Sequence, residues 1–149
     1  MEKKIGLNIE ENVKKELSKR KIVKLKISDE TYSTRIKYKV STEDKTQLLQ
    51  NLYDLVDEFG EEIPFFVAMV ISILQVTTDI NFPEKGEEKL RLFTLLSDGG
   101  YLEEIFKAIP DQVLEDIGSF TKGIVDYTPD MIKKIKIEQM EQEKENMET

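Results

Sequence analysis

The sequence predicts an α+β protein, mostly α, with an N-terminal β-hairpin packed on a compact helical domain, a central apolar helix and a C-terminal helical tail. Three observations predict it. Apolar residues alternate with polar or basic ones over 22–40, the period of strands with one buried face. Apolar residues then recur at helical spacing through 41–128. Within that stretch, Ile63 to Ile71 contain no charged residue and only Ser72 interrupts the run before Leu74. A helix apolar on all sides belongs at the centre of other elements.

Residues 9–20 place Ile9, Val13 and Leu17 four apart. This is a narrow apolar stripe on a short helix, with Asn8 as its expected N-cap. Residues 1–21 thus form a basic helical arm. The hairpin follows at 22–40. Val23, Leu25 and Ile27 alternate with lysines, and Tyr32, Thr34, Ile36, Tyr38 and Val40 alternate with polar or basic residues. The turn falls in Ser28-Asp29-Glu30-Thr31. The apolar face, both tyrosines included, is expected to pack on helices, and Lys24, Lys26, Arg35, Lys37 and Lys39 occupy the other face.

The helical core spans 41–128. Ser41-Thr-Glu-Asp44 has the outline of a capping box. The helix it opens carries Leu48, Leu49, Leu52, Tyr53, Leu55, Val56 and Phe59 on a broad face, and Gly60 suits its stop. Pro64 fits the first turn of the apolar helix, 64–76. A helix at roughly 85–97 carries Leu90, Leu92, Phe93, Leu95 and Leu96 and ends at Asp98-Gly99-Gly100. Residues 101–109 form a short helix, and Pro110 opens another with Val113, Leu114, Ile117 and Phe120 on one face. Thr128-Pro129-Asp130 signals a last helix, so 1–128 is expected to be one globular domain and 129–149 an amphipathic helix with a frayed end.

Composition narrows the function. A chain of 149 residues fits one domain of ordinary size. Without His or Cys, an enzyme would lack the side chain best suited to proton transfer near neutral pH and any thiolate nucleophile. The start, Met-Glu-Lys-Lys-Ile-Gly, is followed by no apolar stretch of the kind that makes a secretory signal. The apolar run at 63–74 falls short of the ~20 residues that span a bilayer, so no membrane partner is expected. Charge is uneven: residues 1–40 hold 12 Lys+Arg against 6 Asp+Glu, and the remaining residues 10 against 24. This asymmetry suits either a charged partner or the docking of the basic end on an acidic face of the same or a neighbouring copy. The acidic remainder disfavours nucleic acid.

Motifs of known chemistry are missing or incomplete. No phosphate-binding glycine loop occurs. Ser119-Phe-Thr-Lys122 matches S-x-x-K but lacks its companion motifs. Asp79-Ile-Asn81 begins like a Ca²⁺ loop, yet Glu84 stands where Gly is required and Leu90 where a bidentate Glu is required. That stretch therefore reads as a turn capping the next helix. The sequence is accordingly that of a non-enzymatic protein with no metal or cofactor.

The hairpin KLKISDETYSTRIKYKV, its direct lead into STEDKTQLLQNLYDLV, and the later TTDINFPEKGEEKLRLFTLL with YLEEIFKAIP resemble small proteins of tailed-phage structural modules, most of all tail assembly chaperones. The resemblance covers roughly residues 22–127 in layout. It implies a protein that binds a tape-measure or other virion protein, or itself, in the host cytoplasm or the virion, and it brings no catalytic residues. The rival expectation is an acidic inhibitor or adaptor that binds a host enzyme as a nucleic-acid mimic.

Two sets of residues are the expected protein-binding sites. Met131, Ile132, Ile135 and Met140 form a stripe too sparse for a stable lone helix, with methionines suited to adaptable packing. Lys24, Lys26, Lys37 and Lys39 are the cations of the hairpin.

Overall fold

A computed structural model of the protein describes residues 2–122 and 141. The elements, in chain order, are α1 (Glu10–Ser18), β1 (Arg20–Ile27), β2 (Glu30–Lys37), α2 (Thr42–Phe59), α3 (Phe65–Thr77), α4 (Gly86–Asp98) and α5 (Tyr101–Ala108), with α6 over 111–122. Short 3-10 turns occupy Leu7–Ile9 and Gly60–Glu62. The protein is therefore α+β and mostly helical, with one antiparallel hairpin near its N-terminus. The chain divides between Leu114 and Glu115, so α6 crosses the boundary. All packing described below lies within Met1–Leu114. The expected boundary at 128/129 and the expected helix beyond it lie outside the described residues.

The hairpin turns more tightly than the sequence suggests. Ile27 pairs with Glu30, so only Ser28 and Asp29 make the turn, and Glu30 and Thr31 join β2. Ser28 supplies the positive φ, 58°, that a two-residue hairpin turn needs. β2 ends at Lys37 rather than Val40 because the chain must bend into the cap of α2. The side-chain parity is as expected. Val23, Leu25, Thr34 and Ile36 share one face, and Arg20, Ile22, Lys24, Lys26, Ser33 and Arg35 the other. Leu25, Thr34 and Ile36 are buried.

Two residues of that inner face depart from expectation. Tyr32 and Tyr38 are about half exposed. Tyr32 stands opposite Leu25 in the ladder, yet Leu25 is buried and Tyr32 is not. The Tyr32 hydroxyl instead donates 2.6 Å to Glu30 Oε2 at the surface. Tyr38 lies past the end of β2, its N–H reaching Lys19 O at 3.5 Å.

Helix α1 has no buried residue. Asn8 does not cap it. A 3-10 turn precedes the helix, its N-cap residue is Ile9, and the Asn8 side chain donates to Lys4 O. The helix stops at Ser18 because β1 begins at Arg20.

The capping box of α2 is complete. Ser41 Oγ accepts from Asp44 N–H at 3.0 Å, and Asp44 Oδ2 accepts from Ser41 N–H at 2.9 Å. Such a cap contributes about 1 kcal/mol. Leu48, Leu52 and Leu55, spaced four and three apart, are the buried face of α2. Gly60, at φ 56°, ends it in a conformation that side chains disfavour.

Helix α3 is the centre, with α2 and α4 packed on it. Leu52, Leu55, Ile63, Val67, Ala68 and Ile71 form one core cluster, with Phe59, Met69, Phe82, Leu90 and Phe93 packed around it. Each large side chain so buried stabilises the fold by about 1.5–3 kcal/mol. Pro64 sits one residue before the helix as its N-cap, and its carbonyl accepts from Val67 and Ala68 N–H. The helix is not buried all round, however. Phe65 and Phe66, in its first turn, are 50% and 66% exposed.

At the far end of α3, Thr78 forms an antiparallel bridge with Ile36. Asp79 then clamps the hairpin. Its Oδ1 accepts from Thr34 Oγ1 at 2.8 Å and from Arg35 N–H at 2.7 Å, while its own N–H donates to Arg35 O at 3.1 Å. The expectation that this stretch caps the next helix is thus overturned: Asp79 faces the hairpin, and α4 begins after Lys85 without a side-chain cap.

Candidate protein-binding surfaces

The four hairpin lysines have different roles. Lys24 and Lys26 lie exposed on the outer sheet face and make no ion pair among the described residues. Lys37 is largely sequestered. Its Nζ donates to Asp44 Oδ1 at 2.7 Å, with both side chains about one-fifth exposed. Burial acts most strongly on Asp44 and raises its pKa, but the hydrogen bonds from Lys37 and Ser41 together outweigh it and hold the carboxyl below its ordinary value. Lys37 therefore ties β2 to the cap of α2 and is a structural cation. Lys39 is exposed and only 3.9 Å from Glu16 Oε2, a separation worth little at a surface. Met131, Ile132, Ile135 and Met140 lie outside the described residues.

The outer sheet face holds more than lysines. In register it presents Arg20, Ile22, Lys24 and Lys26 from β1 with Thr31, Ser33 and Arg35 from β2. Ile22 is 57% exposed and sits directly opposite Arg35. It is an apolar residue ringed by cations on a face with no acid. Counting back by twos from Lys24 puts Ile22 on this face, so alternation alone could have found it.

A second exposed surface lies where α2 ends and α3 begins. Tyr53 and Val56 are exposed on α2, and Phe65 and Phe66 on α3. Residues 53–66 also contain Asp54, Asp57, Glu58, Glu61 and Glu62 and no basic residue. Phe65 and Phe66 escape sequence reading because they belong to the same apolar run as the core. Only their place in the first helical turn, beyond the reach of neighbouring helices, separates them from Val67 onwards.

A third set, Ile5, Leu7, Ile9 and Val13, is exposed along the N-terminal arm. The arm's amphipathic stripe is thus only partly covered among the described residues, with Leu17 the one member that is not exposed.

The concave features are poor in chemistry. An open depression of about 370 Å³ is lined by Val70, Ser97, Gly100, Leu102, Glu103 and Phe106. Its one carboxylate, Glu103, pairs with Lys107 at 3.1 Å. Among the described residues no group of three or more Asp or Glu is placed to hold a metal ion. None of their helices is long and apolar enough to cross a membrane.

Tyr32 lies on the sheet face opposite Lys24 and Lys26, a face it shares with Lys21.

No protein-family model matches the chain, and neither a curated protein nor a solved structure does.

Proposed function

We propose that the chain is a non-enzymatic protein of a tailed phage that acts in virion assembly, in the manner of a tail assembly chaperone, by binding other structural proteins. The binding half of this reading rests on one observation: Phe65 and Phe66 stand exposed side by side on a helix whose other residues are buried or partly buried. Aromatic residues held rigidly at a surface are the usual anchors of protein interfaces. Phe82, Leu90 and Phe93 support the helices from within, so the anchors sit on a fixed platform. The phage half rests on the layout of residues 22–127, and the host cytoplasm or the virion follows as the location.

The test is a photo-crosslinking residue at position 66 of the full chain, expressed in phage-infected cells. Capture of a tape-measure or other virion protein is the expected result. Capture of a host enzyme, lost when the acidic residues between 84 and 116 are neutralised, would replace this reading with that of an acidic inhibitor or adaptor.

A further inference from the structure

The two exposed, charged surfaces lie at opposite ends of the α2–α3 pair. At one end, the start of α2 is tied to the hairpin by Lys37–Asp44, and the exit of α3 is tied to it by Ile36–Thr78 and Thr34–Asp79. At the other end, α2 finishes and α3 begins, 18 residues along α2, or about 27 Å at 1.5 Å per residue. The ends are held apart by packed helices, so neither can fold back onto the other.

The ends are complementary. The outer hairpin face carries Arg20, Lys24, Lys26 and Arg35, with the Lys37–Asp44 pair at its edge and no acid among the strand residues of that face. The stretch 53–66 carries five acids and no base. Each has an exposed apolar centre: Ile22 in the first, Phe65 and Phe66 in the second. An apolar centre with a rim of one charge facing a matching centre with a rim of the other is the arrangement that fixes both orientation and partner.

We infer that the chain associates with itself head to tail, the hairpin face of one copy seating on the Phe65–Phe66 end of the next. Because the two surfaces differ, the contact is heterologous, and repeating it produces a ring or an open filament rather than a two-fold dimer. This inference shares the exposed Phe65–Phe66 surface with the proposed function but names a different partner, so sedimentation of the chain alone tests it apart from capture of virion proteins.

Sedimentation of the full-length chain tests it. The mass should rise with protein concentration beyond that of a dimer, and the association should weaken as salt screens the charges. Two variants block one end each: Ile22→Asp with Lys24→Glu, and Phe65→Ser with Phe66→Ser. All four positions are exposed, and circular dichroism should show both variants folded. Each alone should lose association by at least about tenfold. Mixed together, they retain one intact face apiece and should form a 1:1 complex that grows no further. A wild-type chain that stays monomeric at millimolar concentration overturns the inference. So does a wild-type mass that stops at a dimer, or association unchanged in either variant, or two variants that fail to combine.

Discussion

Thr34 and Asp79, 45 positions apart, share a 2.8 Å hydrogen bond from hydroxyl to carboxylate, and that bond is one of three joining the hairpin to the exit of the central helix. Thr34 is buried although Asp79 itself is exposed, so its hydroxyl is poorly served by water once the carboxylate is removed. Losing a partner for a buried donor costs about 1–3 kcal/mol. Asp79→Ala should therefore lower stability by about that amount in urea unfolding, with Thr34→Val in the same background adding little, since both remove one interaction.

The same site predicts a pH dependence. The Arg35 backbone N–H acts most strongly on the Asp79 carboxyl and lowers its pKa; burial opposes it, and the Thr34 hydroxyl adds to the lowering, so the carboxyl sits below its ordinary value. A carboxyl whose pKa is depressed by folding stabilises the fold above its unfolded value, about 3.9. That contribution disappears as pH falls through the folded value. The stability gap between wild type and Asp79→Ala should be full at neutral pH and should shrink as the solution is taken well below the ordinary carboxylate range. A gap that widens in acid would contradict the assignment.

Much of the fold was legible because its signals are local. The lysine alternation set the faces of the hairpin, and Ser41 with Asp44 announced the start of α2 in four residues. The rest depends on distant partners. Nothing near Asp79 in the chain says that its acceptor serves Thr34 and Arg35, so it read as a cap for the next helix. Tyr32 read as core because it keeps period with Ile36, yet it is half exposed while Leu25 opposite it is buried. The binding surfaces were legible in part. Lys24 and Lys26 stand where alternation put them, but Lys37 went to Asp44, and Phe65 and Phe66 were hidden in a run that is otherwise core.

Gly86 opens α4 where α2 closes, and a side chain there has no room. A methyl group on its Cα would stand 2.6 Å from Phe59 Cε2 and 2.8 Å from Glu58 Cδ. The glutamate can swing away, but the Phe59 ring packs against the core cluster. Gly86→Ala should cost about 1–3 kcal/mol, the usual range for overpacking, even though alanine favours helix. Combining it with Phe59→Leu should cost less than the sum of the two changes, read from denaturation midpoints.

Gln75 presents the opposite case, a polar group in excess. Its Oε1 is buried on α3 with no hydrogen-bond partner among the described residues. Replacing it with Met keeps the length of the side chain and removes the unpaired acceptor. Relieving such a group is worth roughly 1 kcal/mol, so Gln75→Met should raise the melting temperature by a few degrees. An unchanged or lower value would mean that Oε1 is paired in solution.

The apolar run itself divides into core and surface, and one pair of substitutions separates them. Ile71 is fully buried in the cluster with Leu52, Leu55 and Val67. Phe66, five residues earlier in the same helix, is 66% exposed. An aspartate at 71 places a carboxylate among apolar side chains with nothing to pair it, a change that removes several kcal/mol and in practice unfolds the site. An aspartate at 66 meets water and lies in the first turn of α3, where the helix dipole favours negative charge. Ile71→Asp should therefore lose its cooperative melting transition, while Phe66→Asp should melt within a few degrees of the wild type. If Phe66→Asp unfolds as well, the first turn of α3 is part of the core and the aromatic surface does not exist. If it folds but sediments like the wild type at every concentration, the fold stands and the head-to-tail contact does not.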